Sequence, residues 1–227
     1  MEKKILPQEG LKIVACLTML LDHIGAVLVP SMKLRVIGRL AFPIYCFLLA
    51  EGSHYTRNPK KYALRLGAGA LLAELPYDLL FFDDFTLRYH SVMVTLLLGY
   101  ISLLLMKRCK NYYTAVFSVI PFALMAELLG ADYGGSGILM IHLFNITRGL
   151  PCERFLQAAG LVFFMDISSY RILVGSFSIP MQLFAVMSMI PIFLYSGKKG
   201  TNSKVLQRLF YLFYPIHMLC LYLFKIL

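Results

Sequence analysis

Apolar residues in this chain come in runs, separated by short polar stretches rich in Lys and Arg. The runs are Leu11–Pro30, Val36–Ala50, Tyr62–Phe82, Val92–Met106, Tyr113–Leu129, Gly137–Ile146, Phe155–Met165, Pro180–Tyr195 and Leu209–Leu227. About 20 apolar residues in a helix cross the hydrocarbon layer of a bilayer. The pattern predicts an all-α, polytopic transmembrane helix bundle of about nine spans, forming one domain over residues 1–227. The runs near ten residues either re-enter the membrane or extend into their flanks. Lys3, Lys4 and Lys12 precede the first run, as in a signal peptide. Asp22 and His23 interrupt that run and many further runs follow it, so it reads as a retained span.

Composition narrows the class. Of the 227 residues, 59% are hydrophobic and 15% charged, against ~45–50% and ~25% for a soluble domain. Mean hydropathy is +0.72. These values exclude a disordered chain, a disulfide scaffold and a soluble nucleic-acid-binding domain. The net charge of +10 would point to nucleic acid in a soluble protein. Here the cations lie between apolar runs, so a positive-inside bias explains them and no nucleic-acid partner is expected.

Alternating the sides from an inner N-terminus puts 16 of the 22 Lys and Arg inside, among them Lys12, Arg57, Lys107, Arg148 and Lys199. The outer ends and loops hold only Lys33, Arg35, Arg39, Arg88, Arg171 and Lys225, beside the acidic pair Asp83–Asp84. The N-terminus is therefore expected in the cytoplasm and the C-terminus outside. With 17 Phe and 14 Tyr, aromatic belts and lipid contacts are expected at both interfaces. Cys16, Cys46, Cys109, Cys152 and Cys220 show no CxxC or zinc spacing, and no metal is expected.

Several charges lie where charge is costly. Asp22 and His23 are deep in the first run, Arg39 in the second, Glu74 and Asp78 in the third, Glu127 near the end of the fifth. At ~1.5 Å per residue, His23, Arg39 and Glu74 each stand ~18 Å from the inner end and His217 ~14 Å. The sequence thus predicts a shared polar layer, with Asp78 one turn outward of Glu74. Arg39 stays protonated and needs a carboxylate, for which Glu74, Asp78 and Asp22 are the candidates. Asp22 points ~100° away from His23 on the helix and reaches a different neighbour.

Histidine takes and returns a proton near neutral pH, which makes His23 the leading candidate for chemistry. His217 follows Pro215, which can open room around its ring. His142 reads as a packed histidine, and His54 and His90 as solvated ones. Pro43 and Pro76 are expected to interrupt the second and third helices beside the polar layer. The inner loop around Arg57, Asn58, Lys60, Lys61 and Arg65 can anchor lipid headgroups or hold an anionic cosubstrate. The segment Asp132–Gly137 reads as a flexible outer turn.

The run Leu11–Gly25 with its Asp22-His23 pair, then Leu34–Pro43, Glu51-Gly52, Tyr55–Tyr62, Leu75–Asp78, Thr95–Gly99, Tyr133–Gly135 and Tyr214–His217, resembles the TraX family over nearly the whole chain. That resemblance implies an integral protein of the bacterial cytoplasmic membrane, in the wider group of transmembrane acyltransferases. The namesake acetylates the N-terminus of conjugative pilin. It implies acetyl-CoA or another acyl-CoA as cosubstrate and His23 as the catalytic residue.

The expected activity is acyl transfer to an amine or hydroxyl: a peptide N-terminus, a glycan or a lipid-linked group. Asp22 or Glu74 would orient the ring, and Arg39 would stabilise the oxyanion or balance Glu74. His217 would serve as a second base, and Asp78, Tyr133 and Tyr214 would bind the acceptor. Arg57, Asn58, Lys60, Lys61 and Arg65 would hold coenzyme A. A proton-coupled transporter or flippase built on the same buried charges is the alternative, and a scaffold for surface assembly a third reading.

Overall fold

The structure, a computed structural model, describes residues 5–164, 171–174, 177–201 and 203–227. Lys3, Lys4 and Met165 lie outside the described residues. The helices follow the apolar runs closely: α1 Gln8–Val27, α2 Met32–Gly38, α3 Ala41–Tyr55, α4 Pro59–Phe82, α5 Val92–Met106, α6 Tyr112–Phe117, α7 Ile120–Leu128, α8 Gly134–Thr147, α9 Glu153–Phe164, α10 Met189–Phe193 and α11 Lys204–Ile226.

Two features correct the all-helical expectation. Strands β1 Arg171–Val174 and β2 Phe177–Pro180 form a small antiparallel hairpin. The eighth run opens as 3-10 helix over Met181–Ser188 before α10.

Helix boundaries have local causes. Asn58 caps α4, its side chain accepting from the Lys61 N–H at 2.9 Å, and Pro59 stands at the first turn where no donor is needed. Pro43 has no N–H for the Arg39 carbonyl four residues back, and the second run breaks there into α2 and α3. Pro76, by contrast, is carried inside α4, contrary to the expected interruption. Gly130 ends α7 with φ +59, its N–H bonding the Glu127 carbonyl at 2.9 Å.

The segments between helices gather at two ends. At one end Gln8 N–H bonds the Lys198 carbonyl, Glu9 accepts from Thr201, Arg148 pairs with Glu51 at 2.5 Å, and Lys107 Nζ bonds the Ser53 carbonyl. These residues border segments the charge pattern assigns to the inside. At the other end His90 and Gly130–Asp132 exchange backbone bonds, and Lys225 Nζ meets Asp83 at 2.7 Å.

The core lies where α1, α3, α4, α5, α8 and α11 meet, around Leu11, Ile44, Leu103, Met140, Phe144 and Met218. Large apolar side chains also cover the outward faces. Leu64, Leu71, Leu72 and Leu75 on α4 are all more than half exposed, as are Leu128 and Phe163. Among the described residues, Gln8–Val27 and Val205–Ile226 are helices long and apolar enough to cross a membrane singly.

Candidate active site

The site is assembled from α1, the α2–α3 break and α11. Asp22 and His23 are adjacent on α1, so their side chains leave the helix on different bearings. Asp22 turns toward α2. Its carboxylate accepts from the Arg39 guanidinium, and Arg35 Nε lies 3.6 Å from its other oxygen. Arg39 also bonds the Arg35 carbonyl at 3.3 Å. Gly38 makes this contact possible, because any Cβ there would overlap the Asp22 Cβ. Gly25 does the same further along: a Cβ would stand 2.7 Å from the Leu34 Cβ. Two missing side chains thus let α2 lie against α1, and the buried Arg39 charge meets its counter-ion.

His23 turns the other way, toward α11. Its Nδ1 lies 2.8 Å from Nε2 of His217, whose own Nδ1 bonds the Phe213 carbonyl at 2.7 Å. Phe81 and Tyr214 present ring edges to His23 at centroid distances of 5.7 and 6.3 Å.

His23, Asp22, Arg35 and Arg39 line a cavity of about 280 Å³, closed by Tyr77, Phe81 and Phe82 of α4, Asp132 and Tyr133 of the α7–α8 turn, and Tyr214. A larger cavity of about 480 Å³ adjoins it and reaches Gln8, Glu9, Gly197 and Thr201. Its rim carries Lys12, Arg65 and Lys199, and its depth is lined by Leu48, Leu49, Leu66, Met93 and Leu96. Met19, Tyr45, Val92 and Tyr214 line both cavities and form the wall between them.

The turn at 131–133 is built rather than slack. Tyr133 has φ 64 and its ring lies on Phe42, with centroids 3.7 Å apart. Glu127 accepts from the Gly135 N–H at 2.8 Å, and Thr95 bonds the Asp132 carbonyl. Asp132 opens to the cavity yet is ringed by protein, and this desolvation pushes its carboxyl up to about 6 against the pull of Arg39.

Other expected site residues lie elsewhere. Glu74 is not the partner of Arg39: it accepts from His90 Nδ1 at 2.7 Å, from the Ser91 hydroxyl at 2.6 Å and from the Ser91 N–H at 3.1 Å. His90 is therefore a paired group, not a solvated one. Asp78 is buried and accepts from the Thr86 N–H at 3.1 Å, which ties the α4–α5 loop to α4. It lines neither cavity.

Arg57, Lys60 and Lys61 are exposed outside both cavities, and Asn58 is spent on the α4 cap; of that group Arg65 alone reaches the larger cavity. Arg65 lies over the Tyr62 and Tyr211 rings at 5.6 and 5.7 Å. His142 bonds Ser102 at 2.8 Å within the core, and His54 bonds Asn145 at 2.9 Å. Lys12, Lys199, Arg35 and Asp132 belong to the cavities without having been singled out as site residues. Arg35 carries a signal in the sequence, since it lies about one turn from Arg39.

A probable fimbrial assembly protein FimC, serogroup H1, of Dichelobacter nodosus is 28% identical over 230 residues, covering 91% of each chain. An uncharacterised protein of Rickettsia prowazekii (strain Madrid E) is 41% identical over 54 residues, 23% of this chain and 21% of its own. No solved structure matches. The model of the family described as "TraX protein" matches residues 7–225, a stretch that contains every element building both cavities, so the chain belongs to the TraX family.

Proposed function

We propose that the chain is a multi-pass protein of the bacterial cytoplasmic membrane that transfers an acyl group from cytosolic acyl-CoA to an amine or hydroxyl at the membrane or cell surface. Four observations support the membrane reading. The connections assigned to the inside are rich in cations, and several of them are bonded together at one end of the fold. Large apolar side chains are exposed on the outward faces of the helices, while Arg39, Glu51 and Asp78 are buried. That distribution suits lipid as the surrounding solvent. About nine spans and a cytoplasmic N-terminus are taken from the apolar runs and the placing of Lys and Arg.

The observation that carries the enzymatic reading is the position of His23. Its ring faces a cavity that shares one wall of side chains with a cation-rimmed cavity. The larger cavity fits an acyl-CoA: Lys12, Arg65 and Lys199 suit its phosphates, and the apolar depth suits the pantetheine arm. The smaller cavity takes the acceptor.

Neutral His23 removes the proton from the acceptor nitrogen or oxygen as that atom attacks the thioester carbonyl. A C–N or C–O bond forms, the C–S bond breaks, and the proton returns from His23 to the departing thiolate. The Arg39 charge, already balanced by Asp22, lies on the acceptor side and stabilises negative charge developing in the cavity. The family and the fimbrial-assembly name of the Dichelobacter relative favour a subunit of a surface appendage as acceptor.

Two cavities meeting at a thin wall also suit a proton-coupled carrier. The two readings separate in one comparison. Purified protein is incubated with labelled acetyl-CoA and candidate acceptors, with His23→Ala alongside. Labelled product from the wild type alone supports transfer; gradient-driven uptake into vesicles without any acyl donor supports the carrier.

A further inference from the structure

The two histidines form a directed chain. The Phe213 carbonyl can only accept, so the His217 Nδ1 at 2.7 Å from it carries a hydrogen. In a neutral His217 ring the other nitrogen, Nε2, is then a bare acceptor. His23 Nδ1, 2.8 Å away, must supply the hydrogen between them. Once Nδ1 of a neutral His23 holds its hydrogen, Nε2 is the nitrogen with the free lone pair. The ring planes lie within 5° of each other with centroids 5.0 Å apart, far beyond the 2.8 Å between the bonded nitrogens. The rings therefore meet edge to edge in one plane, where the lone pair of one points at the hydrogen of the other. His217 does not line the smaller cavity, whereas His23 does.

We infer that His217 is a positioning residue that fixes the tautomer of His23, holding Nε2 bare toward the acceptor cavity, and that receives the proton His23 takes up. This rests on the reading of His23 as the base. When His23 Nε2 gains the acceptor's proton, the Nδ1 hydrogen passes to His217 Nε2, which leaves His23 neutral and His217 as imidazolium. His23 Nε2 then gives its proton to the departing thiolate while the shared hydrogen returns from His217 Nε2 to His23 Nδ1, which resets both rings. The groups that face His23 across the cavity are of both signs. Asp22 faces the cavity from α1, Arg35 and Arg39 from α2 and its break, Tyr45 from α3, Tyr77 from α4, Asp132 from the turn and Tyr214 from α11.

The test uses the full chain with ¹⁵N-labelled histidine in detergent micelles, where long-range proton–nitrogen spectra separate the two tautomers. Wild-type His23 is expected as the Nδ1–H form. His217→Leu removes the acceptor and should convert His23 to the Nε2–H form, whereas His217→Gln offers an amide oxygen and should keep Nδ1–H. With acceptor and acetyl-CoA, His217→Leu should lower kcat by about 100-fold with little change in KM, and His217→Gln should recover most of it.

A wild-type His23 in the Nε2–H form overturns the inference, as does a His217→Leu protein whose His23 keeps Nδ1–H. Should His217→Leu fail to fold, the wild-type and His217→Gln spectra still decide. Should wild-type protein show the chain of tautomers but no acyl transfer, the proposed activity fails and the hydrogen-bond assignment stands.

Discussion

Gly38 on α2 lies directly against Asp22 on α1, so closely that a methyl group at position 38 would overlap the Asp22 Cβ. A Cβ cannot rotate away, so the helices must separate if one is added. Gly38→Ala should cost about 1–3 kcal/mol and pull Asp22 from Arg39. Thermal unfolding in detergent should show a lowered Tm, with acyl transfer falling in step.

The cation rim makes a quantitative contrast. Lys12, Arg65 and Lys199 line the larger cavity, while Arg57, Lys60 and Lys61 do not. Losing one charged contact to phosphate costs about 1.5–3 kcal/mol, roughly tenfold or more in binding. Lys12→Ala, Arg65→Ala or Lys199→Ala should each raise KM for acyl-CoA by about tenfold. The triple change at 57, 60 and 61 should leave it nearly unaltered. Initial rates against donor concentration measure both.

Asp132 introduces a pH dependence of stability. Its carboxyl is pushed up to about 6 in the fold, from an ordinary value of 3.8, because the surrounding protein desolvates it. The folded chain therefore holds this proton more tightly than the unfolded one. Its contribution to stability is full below about pH 4 and declines as pH rises through 6. Asp132→Asn should raise Tm relative to wild type at pH 7.5, with the difference vanishing near pH 4. Melting curves across that range check the sign.

Glu74 bonds His90 and Ser91 and lines neither cavity. Glu74→Gln weakens the bonds to His90 and Ser91 and should cost about 1–3 kcal/mol. It should leave kcat close to wild type. A loss of kcat comparable with that of His23→Ala would place Glu74 in the chemistry after all.

The difference between Glu74 and Asp22 shows what one-dimensional reasoning reaches. Both lie in apolar runs, and helical rise places Glu74 level with Arg39. Height does not set bearing, and Glu74 faces the 90–91 segment while Asp22 faces α2. The bearing of Asp22 away from His23 was legible, since adjacent residues on a helix diverge by ~100°. The role of Asn58 was not, because a polar residue before Pro59 is equally a loop ligand or a helix cap until the backbone turns.

Apolar runs and prolines act locally, so the main helices, an interruption of the second run and the buried polar residues were legible along the chain, whereas the pairing of β1 with β2, the division of the fifth run into α6 and α7 and the continuity of α4 through Pro76 were not. Packing fixed which charge meets which, set His23 against His217, 194 positions away, and gave the two cavities their shared lining of Met19, Tyr45, Val92 and Tyr214. Those relations depend on how helices rotate about their own axes and pack, which glycines such as Gly38 permit and no local pattern encodes.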